Sequence, residues 1–79
     1  METKEFLKMC QKISMLKNDS KGIKVKIPNE LFVKVDKTIY YPLEYKMSFS
    51  QGKPRNIGIL HDLNANSIIE TNLEKIERC

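Results

Sequence analysis

Apolar residues recur along this chain with two periods, and the period changes once. Over residues 3–17, Phe6, Met9, Cys10, Ile13 and Leu16 fall three and four apart, which lays one apolar stripe along a helix. Thr3 can cap its first turn, where Glu5 adds a favourable negative charge. Asn18-Asp19-Ser20-Lys21-Gly22 supplies turn-forming residues that end it. From Ile23 the spacing becomes two. Ile23, Val25 and Ile27 alternate with Lys24 and Lys26, and Pro28-Asn29 interrupts. Leu31, Val33 and Val35 then alternate with Phe32 and Lys34, and Asp36-Lys37 suits a hairpin turn.

The clearest strand comes next. Ile39, Tyr41, Leu43, Tyr45, Met47 and Phe49 occupy every second position, with Tyr40, Pro42, Glu44, Lys46 and Ser48 between them. That alternation predicts one buried face, carrying the first set, and one wet face. Pro42 cannot donate to a ladder, so it marks an edge or a bulge, and a bulge bends a strand. A loop over residues 50–54 leads to a strand over 55–62 carrying Ile57 and Ile59. A turn over 63–66 leads to a short strand over 67–71 carrying Ile68 and Ile69. Within the closing segment 72–79, Leu73 and Ile76 fit a last helical turn or a closing strand.

The sum predicts a single α+β domain over residues 1–79. An N-terminal helix, 3–17, packs on a curled antiparallel sheet of four to five strands between residues 23 and 71. The nearest architecture is a small SH3-like or OB-like barrel. A chain of 79 residues is long enough for one core and not for two.

Composition narrows the classes. With 41% hydrophobic and 30% charged residues, the chain is apolar enough to fold. It has no run of eighteen apolar residues to span a membrane, and METKEFLKMC lacks the apolar core of a signal peptide. The expected location is the cytoplasm, where Cys10 and Cys79 stay thiols. The net charge of +4 is unevenly placed. Residues 1–37 hold nine lysines against five acids, and residues 38–79 hold five of each sign. Such an excess either solvates a face or attracts phosphates or an acidic partner.

Groups for chemistry are few. His61 is the only histidine, and its neighbour Asp62 points to the other face of a regular strand. Nothing sets a base beside Ser or Cys, and the ligand spacings of zinc and calcium sites are missing. Gly22, Gly52 and Gly58 stand alone, so no phosphate cradle forms. The expectation is a protein without catalytic residues, cofactor or metal. The most site-like stretch runs from His61 to Ser67, where His61, Asp62, Asn64, Asn66 and Ser67 can read the edges of a base, ribose or peptide. The same residue types also build ordinary turns. Tyr40 and Phe32, near Lys34 and Lys46, can stack bases or anchor a protein interface, or can be core beneath the helix. Lys24, Lys26, Lys34 and Lys46 are the candidate phosphate contacts of a nucleic-acid-binding barrel. An apolar sheet face left uncovered would call for a second copy of the chain.

Tyr40-Tyr41-Pro42 and Ile59-Leu60-His61-Asp62-Leu63-Asn64-Ala65-Asn66-Ser67 resemble small uncharacterised proteins carried by phages and mobile elements of Gram-positive bacteria. The resemblance runs along most of the chain and carries no catalytic motif. It implies an accessory protein that neutralises a host or anti-phage defence component by binding. Such a protein either occludes a protein's nucleic-acid site or sequesters a nucleotide-like signal between protomers. The alternatives are a nucleic-acid-binding small barrel and a structural or regulatory subunit of a larger assembly.

Overall fold

The computed structural model describes residues 1–20, 26–62 and 64–79. Helix α1 runs from Thr3 to Ser20, one turn beyond the expected end, and strands β1 (Val33–Val35), β2 (Thr38–Ser50), β3 (Lys53–Asp62), β4 (Ser67–Asn72) and β5 (Glu77–Arg78) follow. All pairings are antiparallel, in the order β4-β3-β2-β1-β5. The expected helix on an antiparallel sheet of four to five strands is therefore present, with the fifth strand, Glu77–Arg78, supplied by the closing segment. The barrel is not: among the described residues β4 and β5 are the two edges, and no pairing joins them. The strand expected at Ile23–Ile27 lies mostly outside the described residues, since 21–25 are among those not described.

The apolar stripe of α1 is the seed of the core. Phe6, Met9, Cys10 and Ile13 are buried, and Leu16 packs against them at the margin. From the sheet come Val33, Tyr41 and Leu60. Leu31, from a 3₁₀ turn at Asn29–Leu31, joins them. A second 3₁₀ turn, Leu73–Lys75, carries the chain from one sheet edge to the other and buries Leu73 and Ile76 on the way. Arg78 then pairs with Glu5 at 2.8 Å, fastening β5 to α1. Gly58 shows how closely these parts meet. A Cβ there would lie 2.8 Å from both Phe6 Cζ and Ile76 Cδ1, so β3 can approach them only as glycine.

The alternation expected for β2 breaks at Pro42. The ladder with β3 runs regularly from Ser50↔Lys53 to Glu44↔Ile59, skips Leu43, and resumes at Pro42↔Leu60. This is a β-bulge, at a residue with no N–H to give the ladder. Pro42 also lies just past Tyr40, the last residue of β2 paired with β1. Opposed residues share a face in an antiparallel pair. Tyr40 opposite Val33 and Pro42 opposite Leu60 therefore share one face before the bulge, which Tyr45 opposite Gly58 continues after it, while Tyr41, opposite His61, is buried on the other. Of the set expected to be buried throughout, Ile39, Met47 and Phe49 are instead 52%, 55% and 73% exposed.

The molecule measures 43 × 25 × 20 Å, and its long axis matches the 13 residues of β2 at about 3.3 Å each. β4 pairs with β3 only from Ile57 to Asp62, so Lys53–Asn56 pair with β2 alone among the described residues. The far end of the β2–β3 hairpin, residues 46–56, is thus a two-stranded arm. Every residue in it is exposed except the half-buried Ser50. Its turn has Gln51 at φ 53° and Gly52 at φ 76°, the paired positive angles that suit the twist of a tight hairpin. Among the described residues, no helix is long and apolar enough to cross a membrane.

Candidate functional site

The polar stretch from His61 to Ser67 caps the β3–β4 hairpin, and the side chains of His61, Asp62 and Asn66 bond within it. Asp62 Oδ1 accepts from the backbone N–H groups of Asn64, at 2.9 Å, and Ala65, at 3.3 Å. That is an Asx-type turn, which replaces the hydrogen bonds the chain gives up where the strands end. Asn66 takes φ 50°, an angle that asparagine tolerates better than most residues. Its Oδ1 lies 3.1 Å from His61 Nε2. The other ring nitrogen, Nδ1, lies 2.5 Å from the hydroxyl of Tyr41. One neutral tautomer satisfies both contacts: Nε2–H donates to Asn66, and Nδ1 accepts the Tyr41 hydroxyl proton.

Tyr41 is the residue here that sequence reasoning missed. It is buried, and its ring meets the imidazole edge-on, with centroids 4.9 Å apart at 89°. The Lys17 ammonium sits 5.0 Å from the centroid of the same ring, within cation–π range. Counted back from the Gln51-Gly52 turn, an uninterrupted ladder would set Tyr41 opposite Asp62. The bulge at Leu43 shifts the register by one and sets it opposite His61. The only signal in the sequence was Pro42 itself.

The remaining candidates do not converge. Asn64 and Ser67 are exposed at the same hairpin end. Tyr40 and Phe32 are half-buried and pack against the core. Lys24 lies outside the described residues, Lys26 is exposed outside any strand, and Lys34 is half-buried on β1. Lys46 pairs with Glu70 at 2.7 Å. Lys34 stands opposite Ile39, seven positions before Lys46 along β2, so the two are about 20 Å apart at strand rise. They form no single patch.

Two shallow grooves flank the sheet. One, of about 420 Å³, lies at the base of the arm between Pro54, Arg55 and Asn56 on one side and Asn72, Leu73 and Glu74 on the other. The second, of about 400 Å³, runs between Ile13, Ser14 and Lys17 of α1 and the strand residues Leu43, Glu44 and Ile59. Beside it, the Cys10 thiol is pushed up from 9.0 to about 11, by burial first and by the Glu44 carboxylate second. A thiol so held is not a nucleophile near neutral pH.

The arm carries the other concentration of exposed side chains. Met47 opposite Asn56 and Phe49 opposite Pro54 give it one largely apolar face, and Ser48 opposite Arg55 and Ser50 opposite Lys53 give it one basic, hydroxyl-bearing face. The sequence signal was a stretch without acids, residues 45–57, in which Lys46, Lys53 and Arg55 are the only charges. Comparison with protein-family models, curated proteins and solved structures finds no match for the chain.

Proposed function

We propose that the protein works by binding, and that it neutralises a host or defence component by covering a site on a macromolecular partner, with the β2–β3 arm as the docking element. One observation carries this reading: among the described residues, the arm runs past the reach of the β1 and β4 pairings and exposes Met47 and Phe49. A two-stranded hairpin alone is marginal in water, and exposed apolar residues grouped on one face mark an interface. The arrangement at His61 and Asp62 supports covering a surface over sequestering a nucleotide, because both ring nitrogens and Asp62 Oδ1 already have partners within the hairpin.

The test is native mass spectrometry of the protein isolated gently from the cells that make it, beside a Met47→Ser/Phe49→Ser variant. The reading expects a retained protein or nucleic acid that the variant loses. A small molecule retained equally by both would contradict it, as would turnover of a substrate abolished by His61→Ala.

A further inference from the structure

We infer that the basic face of the arm holds the phosphate backbone of a single-stranded nucleic acid; the inference rests on the arm being the docking element proposed above. Charge selects the occupant. Between Tyr45 and Ile57 the chain carries three cations and no acid. Lys46 is held by Glu70, which leaves Lys53 and Arg55, both exposed and neither in an ion pair among the described residues. Each stands opposite a serine, Lys53 opposite Ser50 and Arg55 opposite Ser48. The two cation–hydroxyl pairs therefore repeat about 7 Å apart along the ribbon, close to the separation of neighbouring phosphates on a nucleic-acid strand. A regular row of anions fits a regular row of donors better than the scattered carboxylates of a protein surface do.

The tip adds a reason for a single strand. Phe49 lies between Ser48 and Ser50 in sequence, faces the other way and is 73% exposed. A strand passing over the end of the ribbon meets this ring with an unstacked base, and base–aromatic stacking is indifferent to sequence.

The test is fluorescence anisotropy with a labelled, mixed-sequence single-stranded oligonucleotide, titrated with the whole protein at several salt concentrations. Three proteins are compared: the wild type, Lys53→Ala/Arg55→Ala on the arm, and Lys8→Ala/Lys12→Ala on the exposed face of α1, which removes the same charge elsewhere. The expected result is salt-sensitive binding by the wild type. The arm variant should bind at least tenfold more weakly, with a logarithmic salt dependence shallower by about 1.4, at about 0.7 for each lost contact. The helix variant should stay within twofold of the wild type. Absence of wild-type binding at low salt, equal losses in the two variants, or polyglutamate competing as well as the oligonucleotide would each overturn the inference. The broader reading is tested separately. If no oligonucleotide binds but Met47→Ser/Phe49→Ser still releases a native partner, only the nucleic-acid assignment fails; if that variant keeps its partner, the docking role of the arm fails.

Discussion

Three residues hold stability in ways that can be measured one at a time. Gly58 is the tightest. Adding a methyl group there forces Phe6 and Ile76 apart, and both are almost fully buried, so neither has room to yield. Gly58→Ala should destabilise by about 1–3 kcal/mol, as overpacked cores do, with a lowered urea midpoint and an unchanged slope. Tyr41→Phe keeps the ring but removes the hydrogen bond to His61 Nδ1. It should cost about 1 kcal/mol, and a variant as stable as the wild type would show that bond to be worth nothing. Cys10 makes stability depend on pH. Its folded pKa, about 11, lies above the ordinary 9.0, so its contribution is whole below pH 9 and is lost as pH rises through 11. A shift of that size corresponds to at most about 3 kcal/mol. Urea denaturation from pH 8 to 11 should show the wild type falling faster than Cys10→Ala; parallel curves would refute the assignment. At pH 8 the native protein should alkylate at exposed Cys79 and spare Cys10.

At the scale of elements, the arm and the bulge are separate consequences of β2. Its 13 residues outrun their neighbours: β1 covers three of them, and β4 stops supporting β3 at Ile57. Since the arm adds little to the core, Met47→Ser/Phe49→Ser should change stability by no more than about 0.5 kcal/mol. A larger loss on thermal unfolding would mean that the core leans on the arm. Alternating residues in the sequence made the helix, the strands and most turns legible, because a period reports which residues share a side. It does not report whether anything covers that side. Ile39, Met47 and Phe49 satisfy the alternation as well as Tyr41 does, yet they are exposed: Met47 and Phe49 lie beyond the reach of β4 among the described residues, and Ile39 lies on the other side of the bulge. Pro42 announced the bulge but not its consequence, which is to shift the register by one residue and to bring Tyr41 against His61. The polar 61–67 stretch was legible as a turn and as a site, and only the bonds from Asp62 and His61 show how much of it is occupied with holding the turn.

For the whole molecule, these parts divide into a packed body and a reaching ribbon. Helix α1, the 3₁₀ turn at Leu73–Lys75 and the inner strands share one core, and the β2–β3 hairpin continues past the pairings of β1 and β4. The lysines of residues 1–37 suggested a basic first half, but among the described residues those on strands are dispersed, and the arm sets exposed Lys53 and Arg55 on the face opposite Met47 and Phe49. On this division the partner docks on the arm. Hydrogen exchange read by mass spectrometry, on the isolated protein and on its complex with the molecule it retains in the cell, tests this most directly. Docking on the arm gives fast exchange over residues 46–56 in the free protein and strong protection there in the complex, with the body unchanged. Protection confined to residues 61–67, with the arm exchanging as fast as before, would contradict it.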